Sequence, residues 1–340
     1  MRPVGSRLRL LGPILAVLGL AGLLGGCGER KETLAVPATP ATLSIALDGP
    51  PGAPLVPLYD AITGGDFTRA GLNLTIMSSP SPPLDRLASG AVDMAVASEP
   101  DLLAARDHGA QLLAIGALVQ GPLTAIISLP GRSTTKVTQL EGKTVATDGT
   151  PLAAAELDAV LRRAGVAPAS VRRRPVPGDL ARPLLGKGVQ ASLGSLATDA
   201  VRLRLAHHPP SLIKIDDAGV PTYNRLVLVV RQSEARNRGP ILRAFLQALT
   251  IGVRNTLASP AAAARQLVAA NPGLSGRFEL ASLRAAIPLI DPAPTGSPYG
   301  FVDPRAWRTF GQWMLAQGLL TRPDDAARAV TDEFLPGQGE

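Results

Sequence analysis

The chain has 340 residues, 46% hydrophobic, 18% charged and 3% aromatic, with one cysteine and a formal net charge of +7. That length is enough for two lobes held by their own cores, and a lone cysteine excludes an internal disulfide. So few aromatic residues, with no reader motif beside the basic ones, argue against nucleic-acid binding.

The N-terminus carries Arg2, Arg7 and Arg9, then an apolar stretch from Leu10 to Leu24, then Gly25-Gly26-Cys27. A positive start, an apolar middle and small residues before a cysteine form a secretory signal over 1–26 with a cleavage site ahead of Cys27. Cys27 is therefore the expected lipid attachment site. The alternative is an uncleaved membrane anchor, since the run is just long enough to span a bilayer. Either way the folded part lies outside the cytoplasm, tethered to the membrane. Residues 27–41 are polar and then proline-rich, as suits a flexible tether.

Beyond the tether, short β-rich runs alternate with helical patterns. The runs are Leu43 to Leu47, Leu72 to Met77, Met94 to Ala97, Leu112 to Val119, Leu123 to Ser128, Thr144 to Thr147, Leu212 to Ile215 and Leu226 to Val230. Alternation of this kind predicts an α/β fold with sheets flanked by helices. Leu55, Leu58, Tyr59 and Ile62 recur at helical spacing, with Gly64-Gly65 as a stop. Arg172, Arg173 and Arg174 read either as a solvated face or as a lure for an anionic lipid or solute. After residue 232 the strands cease, and Leu242, Phe245, Leu246, Leu249 and Val253 mark one face of a long helix. Proline-bearing breaks near 130 and 221 suggest two crossings between lobes. The first lobe would comprise 42–129 and 225–340, and the second 130–224, within ordinary domain sizes.

Several segments together resemble a known family. They are Leu47-Asp48-Gly49-Pro50-Pro51, Gly65-Asp66-Phe67, Leu87-Ala88-Ser89-Gly90, Leu140-Glu141-Gly142-Lys143, Gly219-Val220-Pro221-Thr222-Tyr223 and the C-terminal Gly300-Phe301-Val302-Asp303-Pro304 through Trp307. The chain resembles extracytoplasmic solute-binding proteins for the thiamine pyrimidine precursor, relatives of sulfonate and nitrate binders. The resemblance implies a two-lobed periplasmic-binding-protein fold of the second type, with mixed sheets and two crossing strands. It also implies a monomer that captures a small-molecule solute and delivers it to an ABC permease and its ATPase, with no cofactor. In that family the loop after the first strand carries a tryptophan, an asparagine and a histidine; here Gly49, Gly52 and Leu55 stand there.

Ligands of open α/β sheets sit outside the carboxyl ends of strands, so strand-end residues are the candidates. Asp48 follows the first strand, Ser79 the second, Glu99 the third and Gln120 the fourth. In the middle segment Thr150 opens a helix ahead of Pro151, Ser195 ends a short run, and Tyr223 lies near the return crossing. Asp48 or Glu99 would pair with the amine and ring nitrogen of an aminopyrimidine, and Tyr223 would stack on its ring. Each has a plainer reading: a turn cap for Asp48, a helix N-terminal charge for Glu99 and a helix cap for Thr150. His108, ahead of Gly109, reads as a helix C-terminal cap, and His207 and His208 lack cysteine or carboxylate partners at ligand spacing, so no metal site is expected.

Three functions compete. One is a lipid-anchored binding protein for a heteroaromatic solute or, with the altered loop, for a flavin, purine, sulfonate or nitrate. Another is a sensing or scaffolding lipoprotein. The third is an enzyme, disfavoured because eukaryotic relatives that make the pyrimidine use a cysteine-rich motif and a histidine that this chain lacks. It also has no Gly-x-Ser-x-Gly or His-Glu-x-x-His.

Overall fold

The fold comes from a computed structural model, which describes residues 40–337 apart from 78, 80, 132, 133, 293–296, 324 and 325. The expected signal, Cys27 and all but the end of the tether lie outside the described residues. Strand pairing starts earlier than expected, because Ala41 already donates its amide to Gly71.

In chain order the strands are β1 (Ala41–Ala46), β2 (Leu72–Ile76), β3 (Met94–Ala97), β4 (Leu112–Val119), β5 (Thr124–Ser128), β6 (Thr144–Thr147), β7 (Arg172–Pro175), β8 (Ala191–Ser195), β9 (Ser211–Lys214) and β10 (Leu226–Arg231). They form two five-stranded sheets, ordered β2-β1-β3-β10-β4 and β7-β6-β8-β5-β9. In the first, β1 is parallel to β2 and β3, whereas β10 runs antiparallel to β3 and β4. In the second, β6 is parallel to β7 and β8, whereas β5 runs antiparallel to β8 and β9. Each sheet thus receives its antiparallel strand directly after the chain passes over from the other. Both sheets are mixed, as the resemblance implied.

Sheet membership moves the first crossing. Strand β5, grouped by sequence with the first lobe, is bonded to β8 and β9 instead, so the chain passes over between Val119 and Thr124. The proline and glycine at 130 and 131 follow the crossing strand and do not mark the change of sheet. The return runs from Lys214 to Leu226.

Strand β7 had no sequence signal, because it is the arginine run itself. All four of its residues are exposed. It pairs only with β6 and forms the sheet's edge, where charge deters pairing with another chain. Arg173 is ion-paired with Asp158.

The helices are α1 (Val56–Thr63), α2 (Asp66–Arg69), α3 (Pro83–Ala88), α4 (Glu99–Asp107), α5 (Pro151–Arg163), α6 (Arg182–Leu185), α7 (Asp199–Leu205), α8 (Gln232–Asn237), α9 (Gly239–Ala258), α10 (Pro260–Ala270), α11 (Gly276–Ile290) and α12 (Pro304–Ala316). Helix α1 ends at Gly64, and Gly65 follows in the left-handed region at φ 74°. The stripe Leu242, Phe245, Leu246, Leu249 and Val253 on α9 is buried throughout.

The strand period of two distributes side chains between two apolar cores. Leu228 and Val230 of β10 face the core that holds α1, α9 and α11; Val227 and Val229 face the one that holds α4, α5 and α12. Helix α1 lies against α9 with almost no clearance: a Cβ at Gly252 would stand 2.4 Å from the Pro57 carbonyl oxygen and 2.7 Å from Ala61 Cβ. That contact fixes the helix whose first turn meets the loop after β1.

Candidate functional site

The loop after β1, the start of β5, the end of β8 and the start of β10 converge on a cavity of about 210 Å³. Its walls therefore draw on both sheets. Two of its lining residues are ionisable, Asp48 and Arg225, and they are paired at 2.9 Å. Burial opposes the charge on Arg225, but the Asp48 carboxylate, with smaller contributions from Tyr223 and Asp101, outweighs it and holds the guanidinium above its ordinary pKa. Thr124, Thr198 and Ser195 add hydroxyls, and Leu55, Leu123 and Leu226 add apolar surface. The arrangement offers hydrogen-bond donors and acceptors with no uncompensated charge.

Ser195 lines this cavity while its Oγ accepts the amides of Ala197 and Thr198, each at 3.2 Å. Its own amide donates to Asp199 Oδ2 at 2.8 Å. The hydroxyl proton remains available to a ligand. Of the seven candidates from sequence, this cavity brings together Asp48 and Ser195.

A second, larger cavity of about 770 Å³ shares Pro50 with it and lies beyond the ends of β1 and β2. Ser79 lines this one and is exposed. Gln120 lines neither, and its amide donates to the Leu289 carbonyl at 2.6 Å. Thr150 is an exposed N-cap of α5, with its Oγ accepting the Ala153 amide at 3.1 Å and donating to Asp148 at 2.8 Å. The plainer reading of Thr150 is the one the geometry supports.

Glu99 and Tyr223 sit behind the cavity. Glu99 is 1% exposed, and its Oε2 accepts the Asn224 amide at 2.7 Å. The Glu99 amide in turn donates to the Asn224 carbonyl, and Trp307 Nε1 donates to Asn224 Oδ1 at 2.7 Å. The Tyr223 hydroxyl donates to Glu156 Oε1 at 2.9 Å, and its ring packs on Phe310 with centroids 4.7 Å apart. These groups, from α4, α5 and α12, clamp the return segment between the sheets. A ring so enclosed is not positioned to stack on a solute, and the expectation for Tyr223 is corrected accordingly.

Burial pushes Glu99 up to about 8 against the Asn224 amide, which favours the ionised form. Burial also pushes Glu156 up to about 8; Asp148 adds to the rise, while the Tyr223 hydroxyl and Arg225 oppose it. Desolvation of a buried carboxylate accounts for both directions. Burial thus favours the protonated, neutral form of both acids, in which they serve as polar anchors.

The residue that sequence reasoning missed is Arg225. It directly follows Tyr223-Asn224 and precedes β10, so its position was flagged while its side chain was not. Its partner Asp48 lies 177 residues away. No local pattern pairs two residues at that separation. Among the described residues, no group of three or more histidine, cysteine, aspartate or glutamate side chains could hold a metal ion. Leu55 contributes apolar surface to the cavity.

Comparison with known proteins agrees with this architecture. The chain is 27% identical over 300 residues to the formylaminopyrimidine-binding protein of Halalkalibacterium halodurans, covering 85% of this chain and 90% of that one. It is 23% identical over 297 residues to a 4-amino-5-hydroxymethyl-2-methylpyrimidine phosphate synthase of Saccharomyces cerevisiae, covering 82% and 84%. The fold matches the periplasmic aliphatic sulphonate binding protein SsuA from Escherichia coli with a TM-score of 0.68 at 16% identity, over 89% of this chain and 94% of that one. Residues 54–263, more than half of the chain, match the NMT1/THI5-like family, and the protein belongs to that family.

Proposed function

We propose that the protein is the solute-binding component of an ABC importer and captures a small, neutral heteroaromatic solute of the thiamine-pyrimidine-precursor class. The observation that carries this reading is the charge-compensated pair Asp48–Arg225 in a cavity whose walls come from both sheets. A neutral aminopyrimidine edge presents a donor beside an acceptor. Asp48 offers the complementary acceptor and Arg225 the complementary donor without requiring a charged ligand. An anion such as a sulfonate would meet a cation already paired with a carboxylate. The family membership and the relative named as a formylaminopyrimidine-binding protein support the same class of solute.

In this reading the two sheets belong to two lobes that close about the crossings at 120–123 and 215–225, with a bound solute favouring the closed state. A lipid on Cys27 tethers the protein to the extracytoplasmic face of the membrane, where it meets its permease. The reading assigns no covalent step. The test is thermal unfolding of the soluble domain against 4-amino-5-hydroxymethyl-2-methylpyrimidine, formylaminopyrimidine, flavins, purines, alkyl sulfonates and nitrate. A solute at a hundred times its Kd adds about 2.7 kcal/mol. Stabilisation by the aminopyrimidines supports the reading; stabilisation by anions alone, or turnover of an aminopyrimidine, overturns it.

A further inference from the structure

We infer that Arg202 is a positioning residue for solute binding: from the side of the second sheet it reaches the first turn of α11, and that contact couples the two walls of the Asp48–Arg225 cavity. The inference rests on the binding reading above and assigns a contact that holds the closed state.

Arg202 lies on α7, shortly after the cavity residues Ser195 and Thr198. Its guanidinium is ion-paired with Asp199 at 3.2 Å and with Asp179 at 3.7 Å. Asp199 is 4% exposed and accepts the Ser195 amide at 2.8 Å and the Leu180 amide at 3.2 Å. Arg202 is thus fixed to the group that fixes Ser195 on the cavity wall.

The same guanidinium lies over the Phe278 ring, 5.3 Å from its centroid. A cation over an aromatic face is attracted by the negative potential of that face. Phe278 and Glu279 stand in the first turn of α11, whose far end accepts the Gln120 amide just beyond β4 of the first sheet. Glu279 is buried, and its carboxylate accepts the Ala53 amide. Ala53 follows Gly52, which lines the cavity, and a Cβ at Gly52 would stand 3.9 Å from Glu279 Oε2. Burial raises the Glu279 pKa, whereas the Ala53 amide and Arg202 favour the ionised form. Contacts therefore run without a break from Ser195 through Asp199 and Arg202 to Phe278, Glu279 and Ala53. Cutting them between Arg202 and Phe278 leaves each wall supported and uncouples the two.

The test is titration calorimetry of the purified protein with 4-amino-5-hydroxymethyl-2-methylpyrimidine. Arg202→Ala and Phe278→Leu should each weaken binding by about fivefold or more, the scale of coupling between two sites. Phe278→Tyr retains the ring and should keep Kd within twofold of wild type, a rescue that loss of packing alone does not predict. Adding Phe278→Leu to Arg202→Ala should cost less than a further twofold, because the shared contact is already gone. Small-angle scattering of the solute-free protein supplies a readout that needs no ligand: both single variants should enlarge the radius of gyration. Unchanged affinity with an unchanged radius in both variants, or losses that add independently, overturn the inference and leave the binding reading intact. A wild-type protein that binds no solute overturns the reading, and the scattering then decides the inference alone.

Discussion

In the cavity, Asp48 is partly exposed and faces a guanidinium at 2.9 Å. Behind the cavity, on α4 and α5, Glu99 and Glu156 are sealed from water and face an amide and a phenol of the return segment. The first carboxylate has a cation beside it and presents a polar, uncharged surface to a solute. The other two have no such cation within hydrogen-bond reach, and burial favours their protonated form. Residues 223–225 belong to both regions, with Tyr223 and Asn224 held in the interior and Arg225 turned to the cavity. The segment can therefore be rigid behind the pocket and selective within it.

The largest effect expected from this contrast is on stability against pH. Glu99 and Glu156 are raised from an ordinary 4.5 to about 8 in the folded protein. Between those values the folded state retains protons that the unfolded chain has released. The contribution of these two acids is therefore fullest below pH 4.5 and declines as pH rises toward 8, by up to about 1.4 kcal/mol per pH unit for each group. Urea unfolding at pH 5, 6, 7 and 8 checks the slope. The double substitution Glu99→Gln with Glu156→Gln should remove most of it, while Asp332, raised by burial to about 6, retains a part at the acid end.

Next in size is the cavity pair. Arg225→Ala should weaken binding of 4-amino-5-hydroxymethyl-2-methylpyrimidine by about 10- to 100-fold, the worth of a hydrogen bond to a charged group. Titration calorimetry reads the loss, and the urea midpoint should move little. Tyr223→Phe sharpens the contrast from the other side. It leaves Glu156 without its phenol donor and should cost about 1–2 kcal/mol of stability, with solute affinity unchanged within twofold. A tenfold loss of affinity would instead make Tyr223 a ligand contact. The smallest effect is expected from Thr150→Ala, about 1 kcal/mol of stability from the lost helix cap and no change in binding.

Much of the fold was legible because β-branched and apolar runs announced eight of the ten strands, and the stripe on α9 announced its buried face. Strand β7 was not legible, since an edge strand made of arginines carries no apolar alternation. The change of sheet at β5 was misplaced because Pro130-Gly131 reads as the break, although Gly121-Pro122 within the passage at Gln120–Leu123 is an equally marked turn dipeptide. At the site, proximity to strand ends found Asp48 and Ser195, which share the cavity. The same rule cannot separate a side chain that faces a cavity from one that turns into the core. Glu99 and Tyr223, which the rule placed beside a ligand, are turned into the core, and Arg225, joined to Asp48 only through the tertiary fold, was overlooked.

The central claim is that paired charges select a neutral solute. Its most direct test is a calorimetric comparison of 4-amino-5-hydroxymethyl-2-methylpyrimidine with its 5-phosphate at neutral pH. The compensated Asp48–Arg225 pair predicts that the uncharged alcohol binds at least about tenfold tighter, a difference of about 1.4 kcal/mol. Equal or tighter binding of the phosphate would contradict it and make Arg225 an anion-binding residue.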